Sequence, residues 1–206
     1  MDPEGADFNV AGYGRLGTGD GGANNFTARL RQGDNMYDFR MGNSVFGTNW
    51  ATLFGAPFSR LEYSYLSDFD NGLAANDTAC LVAQAPNIGG AAGAVFCDLG
   101  RGLSEVGVAG GDSGGPNFIN GLISGVNSYG LTFGRSWGDV GPPGCGSAPA
   151  PSCLNSSFGE FSGFVPTFIH ADFINAALVP EPETYALMAL GLAAVGAAAR
   201  RRRKAA

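Results

Sequence analysis

Gly111-Asp112-Ser113-Gly114-Gly115-Pro116 is the stretch on which the reading of this chain turns. A serine between glycines is a way of holding a hydroxyl out of a tight turn. Gly111 lacks a Cβ, so the backbone can turn there and leave its N–H open to a reacting oxygen. Ser113 offers its own N–H beside it. One hydroxyl next to two N–H donors describes a nucleophile with an oxyanion hole, the pairing that acyl transfer needs. Gly114 and Gly115 keep the far side thin enough for a substrate backbone, and Pro116 opposes a helix through that point.

The composition points to an all-β body. Of 206 residues, 45% are apolar and only 15% charged, with 34 glycines. Few charges, many glycines and short β-branched or aromatic runs favour a domain with many turns. The net charge of −6 argues against nucleic-acid binding. Cys80, Cys97, Cys145 and Cys153 include no C-x-x-C pair, and His170 is the one histidine, which argues against a zinc site. An even cysteine count favours two disulfides. Cys80–Cys97 with Cys145–Cys153 is the sequence-local choice among the three connectivities, with four buried thiols as the alternative.

Along the chain, Phe8-Asn9-Val10-Ala11-Gly12-Tyr13-Gly14 reads as a strand ending in glycines, and residues 15–25 as a polar turn. Candidate strands follow at residues 26–31, 35–39 and 61–65, then at Cys80-Leu81-Val82-Ala83. Asp68-Phe69-Asp70-Asn71-Gly72 starts like a calcium loop. The helix–loop–helix pattern needs a glutamate near its twelfth position, and Ala79 stands there, so the stretch reads as a solvated Asx-rich turn. Asn117-Phe118-Ile119-Asn120-Gly121 reads as a hairpin leading into the strand Leu122-Ile123-Ser124-Gly125-Val126-Asn127-Ser128-Tyr129-Gly130. Residues 138–157 read as a Pro/Gly/Ser-rich insertion pinned by a disulfide, residues 158–165 as a last strand and residues 166–178 as a closing helix.

The six residues around Ser113 resemble the active-serine motif of the chymotrypsin/trypsin-like serine proteases. The G-x-S-x-G elbow of α/β-hydrolases shares some letters, but it needs a helix directly after the serine. The strand at residues 122–130 resembles the family's L-x-G-I-x-S-W-G strand, and Val10-Ala11-Gly12-Tyr13-Gly14 resembles the V-x-G-x-G opening of its second barrel. The resemblance covers residues 8–178. It implies a six-stranded β-barrel, the C-terminal half of a double barrel, closed by a helix. It also implies Ser113 as nucleophile with the Gly111 and Ser113 N–H groups as oxyanion hole. Ser128 lies beside the catalytic aspartate in such an arrangement, and Tyr129 and Gly130 present backbone to an extended peptide. Gly107, six residues before the serine, falls at the base of the specificity pocket, where an acid would select Lys or Arg; its absence implies an uncharged preference. Asp112 resembles the carboxylate that pairs with a newly cut N-terminal amine. No cofactor or metal is needed for this chemistry.

The tail reads separately. Pro180-Glu181-Pro182 breaks what precedes it, residues 185–199 carry no charge, and Arg200-Arg201-Arg202-Arg203-Lys204 follows. As a helix, the apolar run spans about 22 Å against a hydrocarbon core of roughly 30 Å, and flanking arginines can snorkel across part of the difference. Pro-Glu-Pro, a short apolar helix and an arginine cluster together resemble the PEP-CTERM sorting signal. That implies an exosortase-type enzyme as partner, anchorage at the inner membrane and transfer of the body towards the cell surface.

The expectation is therefore a protease-type body over residues 1–178 and a sorting segment over residues 179–206. The residues from Met1 do not form a signal peptide, and His170 lies after the serine, where the family's base does not. Both features read as the C-terminal part of a longer reading frame, with peptide or protein substrates. The non-enzymatic alternative is an inactive protease fold displayed as a binding protein.

Overall fold

Short aromatic and β-branched runs need partners on both sides to satisfy their backbone N–H and C=O groups. Here they find them in one antiparallel sheet. The computed structural model describes residues 2–26, 29–141, 153–178 and 182–205. Its strands are β1 (Asp7–Gly12), β2 (Arg15–Thr18), β3 (Gly22–Phe26), β4 (Arg31–Met36), β5 (Phe39–Arg40), β6 (Tyr65–Phe69), β7 (Pro116–Ile119), β8 (Leu122–Leu131) and β9 (Glu160–Pro166). Seven of them form a sheet in the order β4-β1-β7-β8-β9-β6-β5, and β2 and β3 form a separate hairpin.

The sheet is curled, and its connectivity says why. β4 and β5 stand at opposite edges, yet only Tyr37 and Asp38 separate them in sequence. That gap spans at most about 11 Å of extended chain, so the two edges are drawn together. The corner is bonded to both sides: Tyr37 N–H donates to the Ala6 carbonyl and Asp38 N–H to the Leu66 carbonyl. The result is a curled seven-stranded sheet, a half-barrel, in place of the expected six-stranded barrel.

Side chains fill the curl in two clusters. Phe39, Phe46, Trp50, Leu66, Phe96 and Phe161 lead one. Phe8, Val10, Tyr37, Tyr65 and Phe164 form the other, with Val106, Val108 and Ile119 packed against it. The β7–β8 hairpin turns on Asn120 and Gly121, both with positive φ (52° and 77°), the two-residue turn that suits strand twist.

Several local expectations are corrected. After the short helix α1 (Asn49–Phe54), Cys80-Leu81-Val82-Ala83 is also helical, within α2 (Thr78–Ala83). Asp77 caps it by accepting the Cys80 N–H at 2.7 Å, and Ala79, Val82 and Ala83 bury one face. Residues 15–25 are not a plain turn but most of the β2–β3 hairpin. Strand β6 starts at Tyr65, so Asp68 and Phe69 belong to it and Leu61 to Tyr63 are turn. Asx turns do follow, with Gly72 N–H on Asp70 Oδ1 and Leu73 N–H on Asn71 Oδ1, but Asp68 and Asp70 are buried rather than solvated. The Cys80–Cys97 disulfide is present. Cys153 is also disulfide-bonded, and Cys145 lies outside the described residues.

The chain divides into two units, Met1–Phe168 and Ile169–Ala206. In the second, α3 (Ala171–Leu178) follows a 3-10 turn at Thr167–His170, because Pro166 ends β9 instead of opening the helix. Then comes α4 (Pro182–Ala205). Among the described residues no helix is long and apolar enough to cross a membrane. α4 has the length, but its uncharged part stops at residue 199 and its last turns are arginine and lysine.

Phe39 tests the packing of the body. Its ring meets Phe46, Trp50, Phe96 and Phe161 with centroids 5.0–5.8 Å away. Phe39→Ala is expected to cost about 3–5 kcal/mol, read as a lower urea midpoint at unchanged m-value.

Candidate functional site

The Ser113 turn lies between an irregular run from Glu105 and the start of β7. Asp112 fixes it. Its carboxylate accepts two backbone N–H groups, from Gly14 on Oδ1 at 2.6 Å and from Ala109 on Oδ2 at 3.0 Å. Its carbonyl accepts the Gly115 N–H at 2.9 Å and Asn127 Nδ2–H at 3.0 Å. Gly12 and Gly14 are required for this approach: a Cβ on Gly12 would lie 2.0 Å from Asp112 Oδ1, and one on Gly14 would lie 2.5 Å from its Cγ. The V-x-G-x-G stretch is thus a cradle for the Asp112 carboxylate.

On the other side the turn is stapled to β8. Gly114 N–H donates to the Asn127 carbonyl and Asn127 N–H to the Gly115 carbonyl, each at 2.9 Å. Asn127 Oδ1 accepts Asn117 Nδ2–H at 2.7 Å, and Asn117 Oδ1 accepts the Tyr37 hydroxyl at 3.1 Å. A buried polar chain therefore runs from the core to the turn. Burial pushes the Tyr37 hydroxyl up to about 12, so it stays a neutral donor near neutral pH.

What this scaffold holds outward is Ser113. Ser113, Gly111 and Gly114 are exposed, and Gly111 adopts φ 104°, a conformation that excludes a side chain. Among the described residues neither the Gly111 nor the Ser113 N–H has a backbone acceptor. His170 belongs to the other unit.

Beside the turn, β8 changes character. Its pairing with β7 ends at Val126, whereas its pairing with β9 continues to Leu131. Residues 128–131 therefore have one strand neighbour. Ser128 is the extra residue of a bulge, since Asn127 faces Phe164 and Tyr129 already faces Gly163. Ser128 and Gly130 are exposed. The Tyr129 ring turns inward over Gly163, and its hydroxyl shares a hydrogen bond with Ser64. Leu122, Ile123 and Val126 leave apolar side chains exposed along the same strand.

Gly107 touches two cavities. One, of about 360 Å³, runs under the β2–β3 hairpin and reaches Asp112. The other, of about 10 Å³, is bounded by Gly107, Gly130, Phe69, Leu154 and Ser162, and has room for roughly one water. Leu154 lies against Gly130 and Phe69 against Gly107. Glu160 borders this small cavity, with Asn155 and Ser156 N–H groups donating to its carboxylate. Burial outweighs those bonds and raises the carboxyl to about 7.

The turn, the bulged strand and Gly107 all belong to the Met1–Phe168 unit. Sequence reading missed Asn117 and Asn127, although asparagine inside an apolar strand is disfavoured and so flags a specific bond. Pro180 and Glu181 lie outside the described residues, and Pro182 opens α4.

Comparison with known proteins adds one finding. The model of the PEP-CTERM protein-sorting motif matches residues 178–203, as expected for the tail. The motif implies processing by an exosortase-type sorting enzyme, with export and surface sorting. No curated protein matches the chain.

Glu160 sets an expected pH dependence. An unfolded glutamate releases its proton near 4.5, whereas the folded one holds it to about 7. Between those values the folded state binds more protons, so stability falls as pH rises across this window. Urea midpoints measured from pH 4.5 to 7.5 should fall less steeply in Glu160→Gln than in the parent chain.

Proposed function

We propose that this chain carries the nucleophile-bearing part of an exported serine endopeptidase. The observation behind the proposal is the Ser113 turn: an exposed serine whose own N–H and that of Gly111 have no backbone acceptor among the described residues, clamped by Asp112 and Asn127. Ser113 Oγ attacks the scissile carbonyl, and the Gly111 and Ser113 N–H groups receive the oxyanion. The proton goes to a histidine oriented by an aspartate, both supplied by polypeptide beyond this sequence. The substrate peptide adds as a strand to the open edge at residues 128–131. Gly107 puts no charge beside the small cavity, in keeping with an uncharged preference once that cavity opens, and the larger cavity reaching Asp112 gives an N-terminal amine a route to that carboxylate. The tail holds the body at the inner membrane, its arginines snorkelling, until the sorting enzyme removes it.

The tightness of the small cavity favours a second reading. On the same frame, a surface protein that binds peptides without cleaving them needs no room there. One experiment separates the two. This chain alone is expected to resist a fluorophosphonate probe, and a version extended to include the histidine and aspartate should react at least about ten-thousand-fold faster. Ser113→Ala in the extended version should abolish labelling. Strong labelling of the chain alone would refute the dependence on outside residues. An unreactive extended chain would leave the binding protein standing.

A further inference from the structure

Three carboxylates meet where β6 ends. Asp68 lies on β6, Asp70 follows it, and Glu105 enters after the turn at Gly102–Ser104. One oxygen from each lies within 4.8 Å of the others. All three residues are buried, Asp70 to 0% exposure. Backbone donors occupy four of their oxygens. Ala79 N–H reaches Asp68 Oδ2 at 2.8 Å and Gly72 N–H reaches Asp70 Oδ1 at 2.6 Å. Asp70 N–H reaches Glu105 Oε2 at 2.9 Å and Arg101 N–H reaches Glu105 Oε1 at 2.8 Å. Among the described residues Asp70 Oδ2 is buried with no hydrogen-bond partner. A buried acceptor without a donor marks a place where something else binds or the structure is strained.

The surroundings sharpen the point. Asp38 and Asp77 add two more buried carboxyls. Among the described residues, the charged groups that act most on these five are other carboxylates, Asp98 among them. The nearby Arg101 guanidinium is committed elsewhere, to Asp7 at 2.8 Å. Burial raises all five carboxyls above their ordinary range, Asp77 and Glu105 to about 7. Uncompensated buried charge of one sign is costly, and a bound cation removes the cost. The donors are all oxygen, with no histidine or cysteine among them, which selects a hard ion. A buried, carboxylate-rich set suits calcium better than magnesium, which keeps several of its own waters.

We infer that Asp68, Asp70 and Glu105 form a calcium site, with the unpartnered Asp70 Oδ2 as a ligand atom. The site borders the candidate substrate region, because Phe69, between two of the ligands, packs on Gly107.

The test uses the full chain, stripped with a chelator near neutral pH and titrated with calcium chloride against a calcium-sensitive dye while its melting midpoint is followed. One calcium should bind per chain, and the midpoint should rise with calcium concentration. Asp70→Asn and Glu105→Gln should each weaken binding about 100-fold or more. Asp70→Asn removes a buried charge, so it should fold without calcium, as circular dichroism will report. Magnesium chloride should bind about tenfold more weakly or worse. No stoichiometric binding up to millimolar calcium means that the carboxyls share protons instead, and overturns the site. Unchanged binding in both variants places the ion elsewhere and overturns the assignment, and equal magnesium binding overturns the choice of calcium.

Discussion

The side chain of Asp112 is gripped by backbone. Its two carboxylate oxygens take N–H groups from β1's end and from the run before the turn, and its carbonyl takes a side-chain amide from β8. Charge-assisted bonds of this kind are about twice as strong as neutral ones. Two segments distant in sequence, at Gly14 and Asn127, are thereby tied to one residue together with the local Ala109 amide, and the next residue is Ser113. The tie works only because Gly12 and Gly14 leave no side chain in the way. Sheet closure, core packing and the Asn117–Asn127 bridge all serve to hold the partners of Asp112 where they are.

The curl of the sheet extends the same logic. Because β4 runs into β5 through two residues, the two edges of the curled sheet are drawn together by the chain itself, and Tyr37 at that corner starts the polar chain that ends at the turn. Packing and site are thus not separable here. Loss of the corner would loosen both the aromatic core and the hydroxyl's support.

Much of this was legible in the residues, and the reasons differ by element. The Asn120-Gly121 turn and the long strand after it announce themselves through turn chemistry and apolar content. The glycine pattern around Ser113 marked the exposed turn. The tail was readable because its signal is compositional. What was not legible came from tertiary context. Cys80-Leu81-Val82-Ala83 looks like a strand, but the Asp77 cap and a buried face make it a helix. Asp68 and Asp70 read as a surface turn because polar residues usually are, and only the fold shows that Glu105, far along the chain, joins them in the interior. Asn127 gave a weak signal, a polar residue in an apolar strand, whose meaning depends on partners no local pattern names.

The central claim is that the Gly111 and Ser113 amides stand ready beside the Ser113 hydroxyl. Its most direct measurement is the NMR response of those two amide protons when Ser113 of the extended chain carries a phosphonate adduct. Both should move strongly downfield as they bond to the adduct oxygen, while amides at the remote end of the sheet stay put. If neither amide moves although the adduct is fully formed, the turn does not present an oxyanion hole and the account fails at its root.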